Sequence, residues 1–154
     1  MNIILATDGT RYSEAATQMV KKLTLDQDDT ILVVSVVDMA VPMSLDISGG
    51  YLPETSSIEE TARQHAVEVV ESTSSSLRDH FGQNGVAIEV DVLFGSPDSR
   101  IVETAEEMRA DLIVMGSHGY KAWERVLLGS VSNSVIHHAH CSVLVVREPN
   151  APSE

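Results

Sequence analysis

Apolar and polar positions follow two alternating rhythms along the chain: short runs of β-branched residues, and longer stretches in which apolar residues recur every three to four positions. The first run, 2–7, predicts a strand. Asp8, Gly9 and Thr10 follow as a turn, and Ala15, Met19, Val20 and Leu23 then mark a helix over 11–25. Residues 30–37 are almost continuously Ile, Leu and Val, as expected of a central strand covered on both faces. Residues 38–53 contain Pro42, Gly49, Gly50 and Pro53 and predict a long loop, a length often associated with function.

Beyond that loop, Ser56 and Ser57 each stand three residues before a glutamate, Glu59 and Glu60. This is a capping-box arrangement that opens a helix running to about Phe81. The serine and threonine run from Ser72 to Ser76 reads as a solvated face of that helix in preference to a phosphorylation target. Residues 86–94 alternate and predict a third strand. Ser96, Pro97 and Asp98 then provide an N-cap, a first-position proline and an acidic first turn for a helix to about Arg109. Strands at 111–115 and 142–146 flank a final helix-like stretch beginning near Ser130.

Five strands alternating with four helices predict an α/β fold, a doubly wound, open, five-stranded parallel sheet of Rossmann-like form in the order 3-2-1-4-5, with helices on both faces. Residues 1–148 are expected to form one domain and 149–154 a short tail. The chain has 154 residues, is 43% hydrophobic, and has no uninterrupted apolar stretch of membrane-spanning length. No basic, apolar leader is recognisable, and Cys141 stands alone, so a soluble cytoplasmic protein without a disulfide is expected. A formal net charge of −13 argues against binding to nucleic acid or anionic membranes. Lys121, Arg125 and nearby His118 form a small basic island in that acidic background.

The chemistry concentrates in one motif. The strand ending at Met115 opens into Gly116, Ser117, His118 and Gly119. After nine intervening residues come Gly129, Ser130, Val131 and Ser132 at the start of a helix. Glycines let main-chain N–H groups approach an anion, and a helix N-terminus presents free N–H groups and the positive end of its dipole, so the motif predicts a phosphate cradle. Ligands in doubly wound sheets bind beyond the carboxyl ends of the strands where the strand order reverses. The ends of strands one, two and four meet there: Asp8, Val36 with Val37, and the glycine loop. Neither a G-x-x-x-x-G-K-(S/T) loop nor a G-x-G-x-x-G after the first strand is present.

With these residues in place, the chain resembles the nucleotide-binding universal stress proteins. Gly116, Gly119, Gly129 and Ser130 match that family's G-x2-G-x9-G-(S/T) signature, and the likeness extends from Ile3 through Asp8 and residues 31–38 to the closing helix and strand. The resemblance implies binding of ATP, ADP or AMP, with Mg2+ as an optional companion. By position it assigns Asp8 to the ribose hydroxyls, Ala6 and Thr7 to the pocket wall, and Val36 to the adenine through its backbone. Met115 falls beside the base or sugar. Gly116 and Gly119 approach the phosphates, and Gly129, Ser130, Val131 and Ser132 hold them. It also implies a homodimer through the last strand, residues 143–146, with Val143 and Val146 at its ends. Trp123, in the segment between Gly119 and Gly129, has no counterpart role.

Simpler readings stand beside these. Asp8 also suits a turn that caps the first helix, and the two roles are compatible. His137, His138 and His140 invite a metal reading, but adjacent helical positions diverge and suit the helix C-terminal dipole better. Cys141 reads as a packed hydrophobe. No water-activating base is identifiable, so a nucleotide-dependent sensor or regulator with slow or absent hydrolysis is the leading expectation. The alternatives are a hydrolase or adenylate-transferring enzyme using Asp38 and Asp46, and a dimeric interaction module without nucleotide.

Overall fold

A computed structural model describes residues 1–39, 55–118 and 128–148. Strands β1 (Asn2–Ala6), β2 (Thr30–Asp38), β3 (Ala87–Gly95), β4 (Leu112–Gly116) and β5 (Ser142–Val146) alternate with helices α1 (Arg11–Val20), α2 (Thr55–Phe81), α3 (Pro97–Glu107) and α4 (Ser130–His138). The sheet is wholly parallel in the order β3-β2-β1-β4-β5, as the sequence predicts. Because the central strands are covered on both sides, their side chains divide into two cores. Ile3, Leu5, Ile31, Val33 and Val114 pack with Ala16 and Val20 of α1 and Val70, Leu77 and Phe81 of α2. Ile4, Val34, Leu93, Ile113 and Met115 turn the other way, against Ile101 and Ala105 of α3 and Val135 of α4. Complete burial of an Ile or Leu side chain contributes about 1.5–3 kcal/mol, so these two layers supply most of what orders the sheet.

Four local expectations are corrected. Helix α1 ends at Val20, not Leu25: the N–H groups of Lys22 and Leu23 bond to Met19 and Val20, three residues back, so the last apolar positions are delivered by turns. Helix α2 already includes Thr55, which places Ser57 inside it. Among the described residues, Glu60 accepts from Arg63 and Gln64, further along the helix. Ser74 is fully buried, its hydroxyl donating to Glu71 O and accepting from Arg78, so the serine run is solvated only in part. Ser96 occupies the cap position of α3, but its hydroxyl donates to the Asp98 carboxylate and accepts no capping hydrogen bond from the helix N–H groups.

Other boundaries shift by one or two residues. Strand β2 runs through Asp38, so that residue belongs to the sheet; residues 40–54, including Asp46, lie outside the described residues. Helix α3 stops before Arg109, which adopts φ 53° while its N–H bonds to Glu106 O and that of Ala110 to Ala105 O. This paired closure is the Schellman arrangement with an arginine in the left-handed position. Residues 149–154 are likewise outside the described set.

Candidate nucleotide site at the strand switch point

After β1 the polypeptide moves outward to β2 and β3, then returns to the other side of β1 for β4 and β5. The carboxyl ends of β1 and β4 therefore open a crevice between crossovers that leave in opposite directions. Ala6 lies at this point, paired with Val34 on one side and Met115 on the other. Thr7 follows, buried, with its N–H on Val34 O at 2.9 Å. Strand β1 stops there while β2 continues for four residues. Alternate residues of a strand direct their N–H and C=O to opposite neighbours. Val36 has the same orientation as Val34, so its main-chain donor and acceptor are directed to the side that β1 has vacated.

Asp8 begins the turn into α1. Its Oδ1 accepts from Thr10 N at 3.1 Å and from Thr10 Oγ1 at 2.7 Å, and Thr10 in turn caps the helix by accepting from Ser13 N. The turn-residue reading is therefore realised. Among the described residues, no hydrogen bond to Oδ2 is seen. Helix α1 then crosses immediately against β4. A Cβ on Gly116 would lie 2.7 Å from both atoms of the Tyr12 backbone carbonyl. The missing side chain at 116 thus serves close packing of α1 against β4, a requirement that was not legible from the motif.

The end of β4 is stitched to α4 through Ser117. Its carbonyl accepts from Gly129 N at 2.8 Å and from Ser132 Oγ at 3.0 Å, while its N–H donates to Val146 O at 2.9 Å. Gly129 is the N-cap of α4, with φ −70° and ψ 161°, backbone that any residue adopts. Its constraint is proximity: a Cβ would come within 3.2 Å of Ser117 O and 3.4 Å of His118 Cα. The requirement for glycine at 129 is therefore one of space and not of backbone torsion. Ser132 is buried, and its single hydroxyl proton is shared between Ser117 O and Gly129 O, which leaves its main-chain N–H as its outward group. Ser130 is exposed and Val131 half-buried. The first helical bond of α4 runs from Asn133 N to Gly129 O, so the N–H groups of Ser130, Val131 and Ser132 precede it.

A second tie fixes α4 from behind. Ser134 Oγ donates to Asp98 Oδ2 at 2.6 Å, joining α4 to the first turn of α3. The hydroxyls of Ser134 and Ser96 hold the Asp98 carboxyl below its usual range. Gly119, Lys121, Trp123 and Arg125 lie outside the described residues. Sequence reading missed Arg11, Tyr12 and the joining role of Ser117. Tyr12 packs its ring 5.1 Å from that of His118, whose Nδ1 lies 3.0 Å from Ser117 Oγ. A cation three residues beyond a motif aspartate in an acidic protein was the available signal for Arg11.

Two of the three histidines near the C-terminus, His138 and His140, bond within the fold. His138 Nδ1 lies 2.8 Å from Ser134 O, and His140 pairs with Glu106. Among the described residues, no group of three or more His, Cys, Asp or Glu is arranged to hold a metal ion. Burial pushes the Cys141 thiol up. No described helix is long and apolar enough to cross a membrane.

The sequence matches the universal stress protein family over residues 1–147. It is 35% identical over 147 residues to a universal stress protein of Methanocaldococcus jannaschii, covering 96% of this protein and 82% of that one. The fold is similar to that of universal stress protein UspA from Lactobacillus plantarum, with a TM-score of 0.72 at 21% identity over 96% and 97% of the two proteins. It is also similar to an Arabidopsis thaliana universal stress protein family protein with AMP bound, with a TM-score of 0.62 at 17% identity over 97% and 93%.

Proposed function

We propose that this chain, which belongs to the universal stress protein family, binds ATP or a related adenine nucleotide in the crevice between β1 and β4 and works as a nucleotide-dependent stress sensor or regulator. The observation that carries this reading is the coincidence of three recognition elements at one end of the sheet. The main-chain edge at Val36, which has no β1 partner among the described residues, offers one donor and one acceptor, the pairing that the adenine edge requires. The second oxygen of Asp8 suits a ribose hydroxyl, with Ala6, Thr7 and Met115 as surrounding wall. The N–H groups of Ser130, Val131 and Ser132, with the hydroxyl of exposed Ser130, suit phosphate oxygens at the positive end of α4. Bound AMP in the Arabidopsis relative supports the same ligand class. Gly116 contributes by letting α1 approach, and Gly119 remains assigned to the phosphates on the motif alone. Any Mg2+ would be held chiefly by phosphate oxygens and water, its common mode beside nucleotides.

A cradle without a recognised water-activating base favours slow or absent hydrolysis. The reading also includes a cytoplasmic homodimer joined through β5. Among the described residues that strand pairs with β4 on one side only, and Val143, Leu144 and Val145 are left half-buried, an arrangement that pairing with a second copy would complete. Native mass spectrometry of the purified protein tests both statements. The expected result is a dimer carrying up to one adenine nucleotide per subunit, either as purified or after addition of ATP. Monomer that remains nucleotide-free in ATP would refute the proposal.

A further inference from the structure

Arg11 opens α1, three residues beyond Asp8, and is connected to the glycine loop by a continuous set of contacts. Its Nη2 donates to the Tyr12 hydroxyl at 3.1 Å, and its guanidinium carbon lies 5.0 Å from the Tyr12 ring centroid. The same ring packs against His118, which meets Ser117, whose carbonyl holds the N–H of Gly129. The Tyr12 backbone also presses directly on Gly116. Arg11 is therefore tethered at the edge of the crevice assigned above to the phosphates.

One partner of Arg11 is Glu148, two residues beyond β5, with Arg11 Nε 2.9 Å from Glu148 Oε2. The side chains of this pair are 60% and 37% exposed. Such a pair is weak and open to exchange, because water and salt screen it and both side chains lose freedom in making it. A polyphosphate offers several charged oxygens in place of one carboxylate, and a guanidinium can engage two of them at once. The advantage grows with the number of phosphates, since AMP ends where the α4 N-terminus already supplies donors. Arg11 also stands out as a cation in a protein with 23 acidic and 10 basic residues.

Resting on the nucleotide reading above, we propose that Arg11 exchanges Glu148 for the outer phosphates of the bound nucleotide and sets a preference for ATP over AMP. Calorimetric titration of ATP and AMP into the full-length wild type, Arg11→Gln, Arg11→Lys, Glu148→Gln and the Arg11→Gln/Glu148→Gln double variant tests this. Arg11→Gln is expected to lower ATP affinity about tenfold while changing AMP affinity less than about twofold, with Arg11→Lys in between. Glu148→Gln is expected to raise ATP affinity by about threefold, and that gain is expected to vanish in the double variant, which separates exchange from a general loss of negative charge. Equal losses for ATP and AMP in Arg11→Gln, unchanged ATP affinity there, or a Glu148→Gln gain that survives without Arg11 would each overturn the proposal. A wild type that binds neither nucleotide would overturn the nucleotide reading itself, and this inference with it.

Discussion

The two ends of the sheet use the same kinds of polar residue in opposite ways. At the amino end the carboxylates are committed within the fold. Asp29 takes the Met1 ammonium on Oδ1 at 2.7 Å and the Asp26 N–H on Oδ2 at 2.8 Å, and Asp111 takes the Asn2 N–H at 2.6 Å. The pairing lowers the Asp29 pKa and raises that of the Met1 amine. At the carboxyl end Asp8 closes its turn with one oxygen, Val36 projects its backbone past the end of β1, and three N–H groups of α4 precede the first helical bond. Direction accounts for the difference. Helices that run antiparallel to the strands bring their N-termini to the carboxyl end, where free N–H groups and dipoles collect, and the reversal of strand order there leaves a crevice.

The largest test of this contrast is Gly116→Val. Its added carbons would meet the Tyr12 backbone, which cannot move away as a flexible side chain would. The expected loss is about 3 kcal/mol of stability by urea unfolding, at the upper end of ordinary overpacking. A change below about 0.5 kcal/mol would show that α1 does not depend on this approach. Asp8→Ala compared with Asp111→Ala sharpens the distinction between the two ends. Both are expected to lose about 1 kcal/mol of stability with their hydrogen bonds. Only Asp8→Ala should weaken ATP, by about tenfold, and it should weaken a 2′,3′-dideoxy analogue less. Equal losses for the two ligands would remove Asp8 from ribose recognition.

The smallest expected effect is the pH dependence carried by Asp98. Its folded pKa lies below the ordinary 3.8 because Ser134 and Ser96 donate to the ionised form. Its stabilising contribution is therefore complete above the unfolded pKa and is lost as pH falls through the folded one. The urea midpoint of the wild type should exceed that of Asp98→Asn at neutral pH, and the gap should narrow below about pH 4. A gap that stays constant from pH 7 to pH 3 would mean that the carboxylate does not tie α4 to α3.

The strands were the most legible part of the sequence, because buried β-branched runs such as residues 30–37 leave few alternatives. The stop of α1 was less so: Leu23 and Leu25 continue the apolar pattern, although turns now deliver them to the core. Ser74 misled for a related reason, since a small polar side chain reads the same on a surface as at a buried helix position. In the site, the motif located the loop, while the purposes of its residues depended on neighbours distant in sequence. Gly116 makes room for Tyr12, and the Ser132 hydroxyl turns inward to Ser117. No spacing rule encodes a contact between residues 12 and 116.

The central claim is that an adenine nucleotide places its phosphates against the first turn of α4. Calorimetric titration of ATP into wild type and Gly129→Val, with thermal unfolding measured for both, tests it most directly. A side chain at 129 would crowd Ser117 O and His118 Cα without torsional strain. The account predicts one ATP per wild-type subunit and at least about a tenfold loss of affinity in a variant that still unfolds cooperatively. Equal affinity in the two proteins, or no binding to a folded wild type, would contradict it.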